Sequence, residues 1–174
     1  MKRIIISGAP STGKTSIINL LKKLNYECKD EVSREIITQQ ININGDIVPW
    51  KNINKFSKII LNKRIKQFNN VQTKLCFYDR SIVDIHAYLN VSKHKINTDL
   101  ISSINEFRYE KIVFYTPIWE QIYTNDDGRK ENLILSKKID LELRKSYNEF
   151  NYNIIEVPKT NIEERISFIL NHIK

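Results

Sequence analysis

Short apolar runs alternate along this chain with longer stretches in which apolar residues recur every three or four positions. The short runs predict five β-strands, at residues 3–7, 26–30, 74–79, 111–116 and 153–157. The longer stretches have the helical period and predict amphipathic helices between the strands. This alternation is typical of an α/β fold in which helices cover both faces of a five-stranded parallel sheet. We expect a single domain spanning residues 1–174.

Local signals mark where two of the helices begin. Ser81-x-x-Asp84 and Thr160-x-x-Glu163 have the form of capping boxes, so they predict helices that follow the third and the fifth strand. Residues 51–70 predict a longer, basic helix. The apolar residues that share one side of this predicted helix are Ile53, Phe56 and Ile60. The lysines on another side are Lys51, Lys55, Lys58 and Lys66.

The loop after the first predicted strand carries the most specific motif of the chain. Its residues match the pattern G-x-x-x-x-G-K-[ST], and a helical pattern follows at once: Gly8-Ala9-Pro10-Ser11-Thr12-Gly13-Lys14-Thr15. Backbone N–H groups of such a loop surround phosphates, and the positive end of the next helix points at the anion. Lys14 can reach the β and γ oxygens, and the Thr15 hydroxyl can ligate Mg²⁺. We therefore predict that Gly8 through Ser16 bind a nucleoside triphosphate with Mg²⁺, either ATP or GTP.

Two acidic residues at strand ends are candidates for the chemistry. Asp79 ends the apolar run of the third strand, where a carboxylate can hold Mg²⁺ together with Thr15. Glu31 follows the second strand and can accept the proton of an attacking hydroxyl or position the acceptor. It can equally form an i, i+3 ion pair with Arg34 on a helix surface, and its neighbour Asp30 cannot be told apart from it by sequence. The sequence leaves open whether Glu31 or Asp79 is the general base.

Other charged residues are candidates for binding the acceptor or closing over the donor. Arg34 and Arg80 can address the acceptor, and so can Asp84, although its capping box already accounts for that carboxylate. The segment 125–130 places charges around a glycine, and we predict a lid whose Arg129, or Lys130 as second choice, stabilises charge on the transferred phosphoryl group. A solvated, salt-bridged loop is the alternative there. Trp50 can stack on a planar acceptor, or it can anchor its loop to the core, as aromatic residues next to loops usually do.

The amino-acid composition limits which kinds of partner this protein is expected to bind. The net charge of +8 arises mostly from lysine, which is abundant together with isoleucine and asparagine; all three have A/T-rich codons. No long basic run occurs, so nucleic acid is a less favoured partner than a small molecule. Two cysteines are too few for a disulfide framework. No apolar run approaches a membrane span, and we expect a cytoplasmic monomer or homodimer.

Several motifs together resemble a known group of proteins. They are the phosphate loop, Glu31-x-x-Arg34, Phe77-Tyr78-Asp79-Arg80, Asp84-x-x-Ala87-Tyr88, Gly128-Arg129, and Val157-Pro158 with Glu164-Arg165. In these the chain resembles small P-loop ATPase or kinase proteins related to the ribosylnicotinamide kinase domain of NadR. Its Asp79-Arg80-Ser81 triplet is also similar to that of thymidylate and deoxynucleoside kinases. The resemblance implies the nucleoside- and nucleotide-kinase branch of P-loop folds, with a parallel sheet in the strand order 2-3-1-4-5, MgATP as donor, and a small acceptor beside the second and third strands.

Three functions are consistent with these residues. The leading one is a kinase that transfers the γ-phosphoryl group of ATP to a hydroxyl or phosphate of a small, nucleoside- or nucleotide-like acceptor, with Lys14, Glu31, Asp79 and Arg129 in the catalytic roles. A second is a regulatory nucleotide-binding NTPase without a small acceptor, although the Asn-Lys-x-Asp motif of GTPases is missing. A third is a polynucleotide 5′-kinase in which the basic helix follows a nucleic-acid backbone.

Overall fold

A computed structural model describes residues 1–122 and 133–173. The strands are β1 (Lys2–Ser7), β2 (Glu27–Lys29), β3 (Leu75–Asp79), β4 (Ile112–Tyr115) and β5 (Asn153–Glu156). The α-helices in the described ranges are α1 (Lys14–Lys23), α2 (Ser33–Asn42), α3 (Ile53–Asn69), α4 (Ile82–Val91), α5 (Thr98–Glu106), α6 (Leu133–Glu149) and α7 (Ile162–Asn171), with a short 3₁₀ helix at Glu120–Ile122.

All neighbouring strands of the sheet pair in parallel, in the order β2-β3-β1-β4-β5. Ile5 at the centre of the sheet lies opposite Tyr78 on one side and Val113 on the other. Each predicted strand is present, with ends that differ from the predicted ends by about one residue. The predicted α/β fold and its strand order are therefore confirmed.

The two faces of the sheet are covered by different helices. Ile4 and Ile6 of β1 point to one face, where they pack in a cluster with buried residues of α1 and α7. Ile5 points to the other face and packs in a larger cluster that includes residues of α2 through α6. Because side chains alternate along a strand, a strand buried on both faces must be apolar at every position. This explains why the first run of the sequence is continuous rather than alternating.

Helix starts agree with the sequence in one case and differ in another. Ser81 and Asp84 form the predicted capping box at the start of α4. At α7 the N-cap is Asn161, whose side chain accepts a hydrogen bond from the Glu164 backbone, so the box predicted at Thr160 and Glu163 is wrong by one residue. Two polar residues, Thr160 and Asn161, are followed three positions later by two glutamates, Glu163 and Glu164, so the capping pattern fits at either position.

Helix α5 was not predicted. It has nine residues and buries only Leu100 and Ile104, so its apolar stripe is too short for the helical period to stand out. Within the described residues, no helix is both long and apolar enough to cross a membrane.

Candidate active site

The phosphate loop joins the carboxyl end of β1 to the start of α1 and depends on unusual backbone angles. The φ angles of Gly8, Ser11 and Gly13 are 145°, 60° and 84°. A Cβ atom on Gly8 would lie 2.3 Å from the carbonyl oxygen of Thr116, which follows β4. Glycine is therefore needed at position 8 for both its backbone angle and the close approach of the neighbouring chain.

Lys14 folds across the loop that precedes it. Its Nζ atom donates hydrogen bonds to the Ala9 carbonyl at 2.6 Å and to the Thr12 hydroxyl at 3.2 Å. Burial, with a smaller effect from the nearby Arg80, lowers the pKa of Lys14 to about 7. A triphosphate at this loop would supply the negative charge that stabilises the protonated amine.

Arg165 of α7 supports the loop from the opposite side. Its Nη2 atom donates to the Thr12 carbonyl at 3.1 Å, and the residue is only 4% exposed. Burial alone lowers the pKa of this guanidinium, and its Nε atom has no hydrogen-bond partner. Arg165 belongs to the Glu164-Arg165 motif of the sequence, but its contact with the phosphate loop was not predicted.

A cavity of about 550 Å³ opens beside the loop. The lining residues at one end belong to the loop and the start of α1, from Pro10 through Ser16. The other end combines charged side chains with an apolar wall formed by Ile37, Pro49, Ile53, Phe56, Ile60, Ile85 and Tyr88. A donor phosphate and an acceptor can therefore occupy one continuous space.

The structure separates Glu31 from its neighbour Asp30. The Asp30 side chain is 64% exposed and pairs with Lys22 at 2.6 Å, away from the cavity lining. The Glu31 side chain is 18% exposed and lines the cavity. Its Oε1 atom accepts hydrogen bonds from the Ser33 backbone at 2.8 Å and from Arg64 at 3.3 Å.

The electrostatic surroundings keep Glu31 ionised. Burial opposes its charge, but Arg80, followed by Arg64 and the Ser33 backbone, holds the pKa of this carboxyl below its usual value. A buried carboxylate that stays charged can accept a proton or a hydrogen bond from a hydroxyl.

Asp79 lies at the carboxyl end of β3 and is 3% exposed. Burial raises its pKa, with Lys14 and Arg80 acting in the opposite direction. Its buried Oδ1 atom has no hydrogen-bond partner. A carboxylate oxygen without a donor suits a hydrated divalent cation, and the exposed Thr15 lines the same cavity. Asp79 and Thr15 thus fit the predicted Mg²⁺ site.

Arg80 and Asp84 form a buried pair beside Asp79. The φ angle of Arg80 is 71°, and its guanidinium lies 3.1 Å from Asp84 Oδ1. Asp84 also accepts hydrogen bonds from Ser7, from both donors of Ser81, and from Tyr147 at 2.5 Å. Burial opposes the charge of Asp84, yet Arg80 and the Tyr147 hydroxyl hold its pKa below the ordinary value. Because its oxygens are already engaged, Asp84 can act on an acceptor mainly through Arg80.

Not every predicted site residue joins this constellation. Arg34 is exposed at the cavity lining. Trp50 is not among the residues that line the cavity, whereas its neighbour Pro49 is. The lid residues Arg129 and Lys130 lie outside the described residues.

Arg64 of α3 is a further residue of the site that was not predicted from the sequence. It is 1% exposed, and its guanidinium reaches Glu31, Asp79 and Arg80. The signal was present in the helical period, because positions 53, 56, 60 and 64 share one side of a helix. A charged residue on an otherwise apolar, buried stripe indicates a specific partner.

The parallel sheet, the phosphate loop and the shared cavity define a small P-loop NTPase domain of the kinase-like kind. A model of the AAA domain family matches residues 3–165, and the chain belongs to this family. None of the curated proteins matches the sequence.

Solved structures of small kinases share the fold at low sequence identity. Deoxyadenosine kinase from M. mycoides is 18% identical, with a TM-score of 0.68 over 98% of this chain and 97% of that one. NadR in complex with NR is 13% identical, with a TM-score of 0.70 over 99% of this chain but only 50% of NadR. Shikimate kinase from Aquifex aeolicus is 18% identical, with a TM-score of 0.56 over 98% and 95%. These likenesses establish the fold and leave the substrate to be argued from the site.

Proposed function

We propose that this protein is an ATP-dependent kinase that transfers the γ-phosphoryl group to a hydroxyl of a small, nucleoside-like acceptor. The observation that carries the proposal is the single cavity that runs from the phosphate loop to Glu31, Arg80 and an apolar wall. Phosphoryl transfer requires mainly that two substrates be held in line and that charge be neutralised. The cavity has room for two substrates and is lined by charged side chains, which supports both requirements.

On the donor side, the phosphate loop and Lys14 bind the triphosphate. Thr15 and Asp79 would hold Mg²⁺, which neutralises charge on the phosphates. Arg129 remains our proposed lid residue. Deoxyadenosine kinase, to which the chain is similar, has been solved with dATP and with dCTP, which supports a nucleoside triphosphate as ligand here.

On the acceptor side, the charges favour a hydroxyl over a phosphate. Arg80 pairs with Asp84 at 3.1 Å, and Arg64 pairs with Glu31 at 3.3 Å. A second phosphate would have to compete with these carboxylates for the buried guanidinium groups. The apolar wall suits a ring that carries no charge, such as a nucleobase.

In the proposed reaction, Glu31 accepts the proton of the acceptor hydroxyl while the hydroxyl oxygen attacks the γ-phosphorus. A bond forms between that oxygen and phosphorus, the bond from phosphorus to the β,γ-bridging oxygen breaks, and ADP leaves with the electron pair. Lys14 stabilises the negative charge that develops at the leaving oxygen. Arg80, held by Asp84, is placed to orient the acceptor.

An acceptor screen tests the proposal. Nucleosides, nucleotides, sugars and oligonucleotides are incubated with MgATP, and ADP release is compared with an acceptor-free blank. We expect at least one nucleoside-like compound to raise ADP release, and Lys14→Ala to abolish the increase while remaining folded. Tight nucleotide binding without transfer to any acceptor would favour the regulatory NTPase instead.

Substitution of Glu31 tests its assigned role. We expect Glu31→Gln to lower the transfer rate by about 10² to 10⁴-fold, because an amide cannot accept the proton, while ATP affinity changes little. Rapid-quench kinetics and calorimetry measure the two quantities separately. Asp30→Asn is the matched control, since Asp30 is exposed and does not line the cavity. Equal losses of transfer rate and ATP affinity in Glu31→Gln would remove the role.

A further inference from the structure

Arg64 is a cation in a place where the sequence pattern calls for an apolar residue. It continues the buried stripe of α3 formed by Ile53, Phe56 and Ile60, and it is 1% exposed. Moving a guanidinium out of water costs several kcal/mol unless partners compensate it. Its contacts should therefore explain why the chain keeps a charge there.

Those contacts connect the ends of two neighbouring strands. The Nη1 atom donates to the carbonyl of Asp79 at 2.7 Å and to the carbonyl of Arg80 at 3.3 Å. The Nη2 atom donates to Glu31 Oε1 at 3.3 Å. The carbonyl of Arg80 is itself fixed, because the Arg80 backbone N–H donates to the Ile6 carbonyl of the central strand at 3.0 Å.

Glu31 is held by Arg64 and by Ser33. Oε1 receives both Arg64 and the Ser33 backbone N–H, and the Ser33 side chain also hydrogen-bonds the carboxylate. Because the carboxylate lines the cavity, it can meet an acceptor there while these donors fix its orientation. A carboxylate held in this way loses little further freedom when a substrate binds.

We propose that Arg64 is a positioning residue for phosphoryl transfer. It is anchored to the carbonyls of Asp79 and Arg80, and it holds Glu31 against the acceptor. This role rests on the proposed kinase function. Arg64 acts through Glu31 and makes no necessary contact with the acceptor itself. Loss of Arg64 should therefore impair catalysis only as long as Glu31 is present.

A double-mutant cycle tests this dependence. With the acceptor found by the screen, Arg64→Met should lower kcat by about 10 to 100-fold, the cost of a misplaced group, and leave the Kd of ATP within about threefold of wild type. In the Glu31→Gln background, the same substitution should lower kcat by at most about threefold. Lys66→Gln is the matched control, because Lys66 is an exposed cation on the same helix.

Each alternative outcome has a definite reading. Equal kcat losses in both backgrounds would show that Arg64 does not act through Glu31 and would overturn the role. A rise in acceptor KM at unchanged kcat would also overturn it, because it would mean direct binding of the acceptor.

If the wild-type protein transfers the phosphoryl group to no acceptor, the kinase proposal fails. If the wild-type protein does transfer it and Arg64→Met keeps the full kcat, only the role of Arg64 fails. Arg64→Lys, which retains the cation, replaces Arg64→Met in the cycle if the methionine variant does not fold.

Discussion

In the candidate active site, several residues have unusual backbone angles or charge states. Arg80, which is not a glycine, has a φ of 71°, and Gly8 has a φ of 145°. Lys14 is buried with its pKa lowered to about 7. A non-glycine residue with a positive φ costs about 1 to 3 kcal/mol and persists only where the surroundings compensate for it. These residues all lie where a triphosphate and an acceptor would meet.

Gly8→Ala should destabilise the protein. The added methyl group would meet the Thr116 backbone at 2.3 Å in addition to the unfavourable φ. We expect the free energy of unfolding to fall by more than about 2 kcal/mol, measured by urea denaturation. Gly45→Ala is the control: its Cβ would meet the end of the Gln40 side chain, which can move away at the cost of its hydrogen bond from the Ile47 backbone, and a smaller loss of about 1 kcal/mol is expected. Similar losses in both variants would contradict the assigned constraint.

Nucleotide binding should be coupled to proton uptake by Lys14. With a pKa of about 7, most Lys14 amines are neutral at pH 8 in the free protein, and the triphosphate would raise that pKa. Binding should then take up about 0.9 proton at pH 8 and about 0.1 at pH 6, so affinity weakens as the pH rises above 7. Calorimetry in buffers with different ionisation enthalpies measures this uptake.

The matched variant for that experiment is Lys14→Arg. Arginine stays charged throughout this pH range, so its binding heat should not depend on the buffer at pH 8. A wild-type binding heat that is the same in every buffer at pH 8 would show that Lys14 is already protonated in the free protein.

At the scale of elements, two helices brace the site from outside the recognised motifs. Helix α3 contributes Arg64 to the ends of β2 and β3, and α7 contributes Arg165 to the Thr12 carbonyl. In both cases the Nε atom is buried without a partner. A buried, incompletely paired guanidinium is a poor source of stability, which suggests that its value lies in the geometry of the site.

Arg165→Met should therefore separate stability from function. An apolar residue of similar size often stabilises a site occupied by a buried cation, so we expect an unchanged or higher Tm. The Thr12 carbonyl would lose its donor, and the Kd of ATP should rise by about 3 to 10-fold, in line with a net contribution of about 1 kcal/mol from one hydrogen bond. Thermal unfolding and calorimetry on the same preparation check both. A lower Tm with unchanged ATP affinity would mean that Arg165 serves only the packing of α7.

For the whole molecule, the net charge of +8 raises the question of nucleic acid. Helix α3 exposes Lys55, Lys58 and Lys66, and Lys51 is exposed just before the helix begins, whereas the buried side of α3 faces the cavity. A composition rich in lysine, isoleucine and asparagine accounts for the charge without a nucleic-acid partner. Salt dependence distinguishes the two explanations.

With saturating MgATP, the acceptor KM should change by less than about twofold between 50 and 200 mM salt, because an uncharged acceptor releases no counterions. A polynucleotide contacting about four phosphates would instead lose about 50-fold in affinity over this range. Steady-state kinetics at the two salt concentrations provide the measurement. A steep loss, together with activity on oligonucleotides, would favour the polynucleotide 5′-kinase.

The sequence by itself determined the features that depend on neighbouring residues. Hydrophobic period gave the strands and most helices, because burial acts on each segment separately. The loop from Gly8 to Thr15 was recognisable because its backbone turn needs particular residues at fixed spacing. The resemblance added the strand order, which the structure confirms.

Only the tertiary structure decided which distant side chains meet. In the fold, Glu31 rather than Asp30 lines the cavity. Glu31 accepts a hydrogen bond from Arg64, which lies 33 positions later in the sequence, and Arg165 donates to Thr12, which lies 153 positions earlier. The fold also engages Asp84 with Tyr147 of α6. No local period or spacing in the sequence indicates such pairs, because it is the sheet order and the direction of each helix that bring the two residues together. The proposed acceptor side of the site is built almost entirely from contacts of this kind.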